Sequence, residues 1–304
     1  MVDVVVVLFD SDERLFRRCV DSVARAGARA DVPVRLVLVD NGGRLPSLAD
    51  LGVPHVLLGS GANVGFGRAV NGALEQSAAP WTLLLNPDAA LHVDGLSAFL
   101  AAAERRPAAL LAGSMVGDDG VPDPDDVIDW DFCTERFLKR LRRRRSGGRG
   151  VPSMSGRPHG GDVVVEKVTG GALFAATSVL RDLGPFDERF FLYCEDADLS
   201  RRAARSGVPL LRVAGCRVAH AGSASARSHA LLVEVARADA AVRLTAYHRP
   251  LGISLLQRVE LALATLVGAA VEKDAARRRA RLGRLSVLRR WGLRRDLEPL
   301  RPAA

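Results

Sequence analysis

Residues 4–9, VVVVLF, form an unbroken apolar run, and residues 34–39, VRLVLV, form a second run dominated by Val and Leu with one Arg. Continuous β-branched runs of this length mark strands buried on both faces of a parallel sheet. Residues 81–85, WTLLL, predict a further strand. Between these runs the apolar period lengthens to that of a helix. Leu15, Cys19, Val20 and Val23 share one face over residues 14–26, and a second helix is predicted over 67–77. The strands end in polar clusters: Asp40, Asn41 and Gly42 after the second, Asn86, Pro87 and Asp88 after the third. Strands alternating with helices imply right-handed crossovers and a mostly parallel sheet with flanking helices, whose ligands bind beyond the carboxyl ends of the strands.

The pattern is lost from residue 116 to 161. Residues 118–131 are acidic and bear proline, and residues 139–150 read KRLRRRRSGGRG. This stretch, about 117–161, is expected to be a mobile basic insertion. Strand signals return at 163–168 and 210–218 and run to about residue 225; beyond that, helices are predicted over 228–247 and 254–291, separated by Pro250. The organisation expected is a catalytic domain over 1–225 and a basic helical extension over 226–304.

Composition adds chemistry to this outline. The chain has 304 residues, 48% hydrophobic, with net charge +8 and pI about 10.1. Such a surface attracts phosphates, acidic lipids or nucleic acid. Arg is spread through an Ala/Arg-rich chain, so part of the charge is compositional bias. Aromatics make up 5%, too sparse to interleave with basic runs for base stacking, which argues against nucleic acid as the partner. Cys19, Cys133, Cys194 and Cys216 lack metal-ligand spacing, and a reducing compartment suits them. The N-terminal apolar run is flanked by Asp3, Asp10, Asp12 and Glu13, the opposite of a targeting signal. The longest apolar stretch, 261–271, falls short of the roughly 18 residues that span a bilayer. A cytoplasmic chain is expected. Apolar residues on one face of 255–266 and Arg clusters at 277–279 and 289–295 suggest peripheral attachment to an anionic membrane surface, at the inner face of the plasma membrane.

Several residues stand where chemistry is expected. Asp40 ends a buried strand, where it either meets a ligand or closes an Asx turn. Asn63 to Arg68, NVGFGR, offers glycines for close backbone approach and then a helix N-terminus suited to phosphate; a tight loop with a solvated Arg would look the same. Asp88 can ligate a hard cation beside substrate phosphates, although Asn-Pro-Asp is also an ordinary turn. Glu195, Asp196 and Asp198 open an amphipathic helix, as catalytic carboxylates or as residues favoured by the helix dipole. His220 ends a strand as a ligand or a structural side chain. Gly170 and Gly171 precede an apolar strand and would let a ligand approach the backbone.

Four segments carry a resemblance: LVLVDNGG ending at Gly43, NVGFGRAVN from Asn63, LLLNPDA ending at Ala89, and VTGGALF…LGPFDERFFLYCEDADLSRRAARSG…RVAHAGSAS. In order and spacing, over three quarters of the chain, they resemble a family 2 glycosyltransferase of the GT-A fold, in its rhamnosyltransferase-like branch. The resemblance implies an inverting, Mg²⁺- or Mn²⁺-dependent transfer of a sugar from a nucleotide diphosphate sugar to a hydroxyl of a glycan, lipid-linked or small-molecule acceptor. It places Phe9, Asp10, Asp40, Asn63, Gly65, Arg68, Asn86 and Asp88 at the donor, and Gly170, Gly171, Glu195 and Asp198 at the acceptor. Asp88 and His220 would hold the metal, and Asp196 would be the catalytic base. The family usually has Gly where this chain has Cys194, and two Asp where it has Asn86 and Asp88. A nucleotide-sugar-binding module without catalysis and a basic nucleic-acid-binding protein are the competing readings.

Overall fold

A computed structural model describes residues 1–117, 127–145, 161–221 and 229–300, with side chains of 140–145 excepted. The strands are β1 (Val2–Leu8), β2 (Val34–Asp40), β3 (His55–Gly59), β4 (Trp81–Leu85), β5 (Ala89–Leu91), β6 (Leu110–Val116), β7 (Val163–Val164), β8 (Ala172–Ala176) and β9 (Leu210–His220). They form one sheet in the order β3-β2-β1-β4-β8-β6-β9-β5, with β7 on β9. From β3 to β4 the sheet is parallel. Beyond β4 it is mixed: β8 runs antiparallel to both β4 and β6, and β6 and β9 are parallel. The strand predicted over 163–168 shrinks to β7.

β1 is buried along its whole length because helices cover both faces of the sheet. One apolar layer joins it to α1 (Glu13–Ala30) and α3 (Gly95–Arg105). The other joins it to α2 (Phe66–Gln76), α5 (Thr177–Asp182) and α6 (Glu195–Arg205). Asp12 caps α1 by accepting the Leu15 N–H at 2.9 Å, which aims the helix away from the end of β1. β1 lies between β2 and β4, so the crossovers diverge at this point and leave a crevice at the carboxyl ends of the strands.

Within the stretch expected to be a mobile insertion, residues 133–145 form helix α4 (Cys133–Arg145). Its N-terminal donors are satisfied from far away: Glu260 accepts the N–H groups of Cys133 at 2.7 Å and Thr134 at 2.9 Å. That cap is invisible to local periodicity. The rest of the insertion falls in large part outside the described residues.

The C-terminal part consists of α7 (Ala230–His248), α8 (Leu251–Val271), α9 (Ala275–Leu282) and α10 (Arg284–Trp291). The single helix expected over 254–291 is thus three. Asp274 caps a new start by accepting the Arg277 N–H, and Gly283 separates the last two. At Gly283 an added Cβ would lie 2.6 Å from Leu231, so the turn packs close to α7. These helices enclose Ala238, Val242, Leu261, Val287 and Trp291, and α7 meets the sheet domain through Ala240 and Leu244 against Phe190 and Ala197.

Candidate active site

Two cavities open at the carboxyl edge of the sheet, of about 370 and 440 Å³. Asn86, Tyr193, His220 and Arg237 line both, so they share a wall.

The first cavity sits on the ends of β1 and β4. Phe9, Asp10, Asn41, Asn63, Gly65, Asn86, Asp88 and His229 face it. Asp10 adopts a positive φ of 45°, which turns its carboxylate to accept the Arg44 N–H at 2.9 Å and meet His229 Nε2 at 2.6 Å. The Arg44 amide and then His229 hold this carboxyl below its usual value. The glycine loop is pinned from β2: Asn41 Oδ1 accepts the Val64 N–H at 2.9 Å, and Asn63 Oδ1 accepts the Gly65 N–H at 3.2 Å. Gly65 has φ +92°, and a Cβ there would come within 2.5 Å of the Phe191 carbonyl. Only glycine fits, because the loop lies directly on the segment that leads into α6.

Asp88 and His220 are 132 positions apart in the chain, and strand pairing unites them. β5 runs antiparallel to β9 with Ala89 opposite His220, so the residue before Ala89 meets the end of β9. His220 Nε2 lies 3.2 Å from Asp88 Oδ1. Among the described residues no group of three or more His, Cys, Asp or Glu side chains gathers to hold a metal. A carboxylate and an imidazole nonetheless fit a divalent cation whose remaining positions are filled by substrate phosphates and water, the usual habit of Mg²⁺.

The second cavity holds the start of α6. Tyr193 and Cys194 are both left-handed, with φ 71° and 63°, a region that favours the glycine the family usually has at the second position. Cys194 offers no side-chain cap, and within the first turn Asp196 Oδ1 accepts the Ala197 N–H at 2.7 Å. Asp196 accepts the Gly170 N–H at 3.3 Å and lies 3.6 Å from Lys167 Nζ, facing the cavity. A Cβ on Gly170 would lie 3.3 Å from Phe66, so glycine lets this backbone pack closely on that ring. Gly171 lines the cavity and its carbonyl accepts the Asn86 N–H at 3.1 Å, tying the two β-strand ends together. Glu195 is buried, and its Oε2 has no hydrogen-bond partner. Burial, then the charge of Asp196, pushes its carboxyl up to about 8.

Four expected residues stand outside both cavity walls, Gly170 beside Asp196 being the first. Asp40 Oδ1 accepts the Gly42 N–H at 3.0 Å in an Asx turn. Arg68 is exposed and pairs with Glu188 at 2.8 Å. Asp198 is buried between Arg202 and His248, both at 2.7 Å. Burial opposes its ionisation, but hydrogen bonds from His248 and Arg202 prevail and keep the carboxyl below its ordinary value. It fastens α6 to α7. His229, Arg237 and Asn41 were not singled out from sequence. Asn41 is the one with a signal there, since it follows Asp40 in the strand-end cluster; His229 and Arg237 come from the helical extension, which carried no motif.

The glycosyl transferase family 2 model matches residues 3–165, more than half of the chain, and the chain belongs to that family. It is a glycosyltransferase that uses a nucleotide-sugar donor. N-acetylglucosaminyl-diphospho-decaprenol L-rhamnosyltransferase of Mycobacterium tuberculosis is 28% identical over 250 residues, covering 74% of this chain and 76% of that protein. The fold is GT-A. GalNAc-T7, solved with UDP, GalNAc and Mn²⁺, superposes with TM-score 0.55 and 14% identity over 82% of this chain; the chain spans about half, 51%, of that structure. Residues 1–349 of S. aureus TarS in complex with UDP give TM-score 0.52 and 14% identity, covering 95% of this chain and 88% of that one.

Proposed function

We propose that the chain transfers a deoxyhexose such as rhamnose, with inversion, from a nucleotide diphosphate sugar in the first cavity to a lipid-linked diphosphate sugar in the second. The observation that carries this reading is the shared wall. Asp88 faces one cavity and Asp196 the other, with Asn86 and His220 common to both. A donor's anomeric carbon held at that wall has its diphosphate on the Asp88 side and the attacking hydroxyl on the Asp196 side, as one in-line displacement requires.

Phe9 stacks on the nucleotide, and the glycine loop lets donor oxygens approach the positive end of α2. Asp88 and His220 hold Mg²⁺ or Mn²⁺, which when bound neutralises charge on the departing diphosphate. Asp196 takes the acceptor proton as the hydroxyl attacks. Lys167 and the Gly170 amide hold that carboxylate towards the cavity. Glu195, kept neutral by burial, donates a hydrogen bond to an acceptor oxygen. Arg136, Arg237 and Arg284 on the second cavity supply cations for acceptor phosphates. The acceptor in the mycobacterial relative's name, a sugar on a diphospho-polyprenol, has that chemistry. Both UDP and Mn²⁺ accompany solved neighbours, in keeping with the donor and ion proposed.

The test is transfer from a panel of nucleotide sugars with and without chelator. Chelation abolishes turnover, Mg²⁺ or Mn²⁺ restores it, and Asp88→Ala resists restoration at ordinary metal concentrations. Full turnover in excess chelator would remove the metal, and no transfer from any donor would favour the catalytically inactive binding module.

A further inference from the structure

α8 is amphipathic in the reverse sense. Its buried face carries Ser254, Gln257, Arg258 and Thr265 beside Leu261, Gly268 and Ala269. Its outer face carries Leu256, Val259, Leu263, Leu266, Val267 and Val271, each 51–73% exposed. Their spacing of three and four residues makes one continuous apolar stripe along the helix. Glu260, which borders the stripe, is turned to the N-terminus of α4, so it puts no free carboxylate there. α4 adds exposed Phe137 and Leu138 within two turns of that contact. A contiguous apolar surface of this kind marks a partner or a membrane.

Charge selects between them. The stripe ends at Val271, and the next turns present exposed Lys273, Arg277 and Arg279, with Arg278 spent on the Glu272 carbonyl. A second copy of this chain would bring the same cations and the same net charge of +8 against them. An anionic lipid surface brings the opposite sign. The Arg289–Arg295 cluster contributes less, since Arg290, Arg294 and Arg295 are spent on backbone carbonyls of Glu298, Arg290 and Ala246.

By length and composition α8 is also long and apolar enough to cross a bilayer. Its inner face excludes that. Arg258 donates to the carbonyls of Gly292 and Arg294, and Gln257 and Leu261 line the second cavity. The helix is bound to protein along its length.

We infer that α8 lies in the headgroup layer of an anionic membrane, apolar stripe down, held by the basic residues that follow it. The docking stands by itself; that it brings the second cavity to a lipid-linked acceptor rests on the function proposed above.

Flotation of the full chain with vesicles tests it without donor or acceptor. Phosphatidylcholine vesicles containing phosphatidylglycerol should carry the protein at low salt, release it at high salt, and bind at least about tenfold more than pure phosphatidylcholine vesicles. The triple variant L256E/L263E/V267E should lose binding by about tenfold or more while its melting temperature and its transfer to a soluble acceptor stay unchanged. R277E/R279E should weaken binding and flatten its salt dependence. The inference fails if the wild type stays unbound with anionic vesicles, if the triple variant binds as the wild type does, or if high salt leaves the protein on the vesicles. It fails equally if the wild type is a dimer that the triple variant dissolves, which would give the face to a second copy.

Discussion

The strands of the sheet bury Val and Leu on both faces, whereas the C-terminal helices also bury Arg243, Arg258, Asp239, Gln257 and Thr265, and α8 turns Leu and Val outward. In the sheet, apolar burial drives folding and polar groups are pushed to the strand ends, where the site forms. In the helical layer, directed hydrogen bonds fix one arrangement. Arg243 binds Asp239 and the Leu297 carbonyl, and Asp239 also accepts Trp291 Nε1 at 2.8 Å. Buried ionic networks of this kind add little net stability but penalise other arrangements, and here they set where α7 presents His229, Arg237 and His248. The sheet supplies the proposed donor, metal and base residues. The layer supplies cations and a face for a partner.

Five variants sharpen that division, the one with the smallest effect last. Asp196→Asn should lower turnover by about 10²–10⁴ at unchanged melting temperature and donor affinity, because the shape stays and the proton acceptor goes. An Asn variant transferring at near-normal rate would move the base elsewhere. Trp291→Ala removes the largest fully buried side chain, in the helical layer, and should cost about 3–5 kcal/mol in urea unfolding.

The third variant is Glu195→Gln. The folded carboxyl keeps its proton up to about pH 8, whereas the unfolded one loses it near 4.3, so the wild type loses stability as pH rises across that window. Gln removes the penalty. The variant should be more stable than wild type by roughly 4 kcal/mol at pH 8, with the gap narrowing to about 1 kcal/mol at pH 5, as melting curves across pH would read. A gap that does not change with pH would mean Glu195 is ionised in the fold. The last pair compares one residue type in both regions. Leu83→Ala, in β4, should cost about 2–5 kcal/mol, whereas Leu263→Glu, on the outer face of α8, should stay within about 0.5 kcal/mol.

The legible part of the fold was the part governed by apolar burial. β1, β2 and β4 are runs that only a doubly covered sheet explains, and their ends carry Phe9, Asp10, Asn86 and Asp88 into the first cavity. Asp40 shared that signal without reaching the cavity, because its carboxylate closed its own turn. α4 was missed since its cap, Glu260, lies 126 residues from Thr134. His229 reaches Asp10 across 219 residues, and no period or spacing encodes such a contact. The helical layer misled for a different reason. Its buried polar face reads as an exposed one, and the helix breaks at Asp274 and Gly283 are weak signals in an Arg-rich stretch.

The central claim is a single displacement between two cavities that share a wall. The anomeric configuration of the first-formed product, read by NMR during a single turnover, tests it most directly. Transfer from an α- or β-linked donor should give the opposite anomer with no sugar attached to the protein; retention of the donor's configuration, or a glycosylated enzyme intermediate, would contradict it.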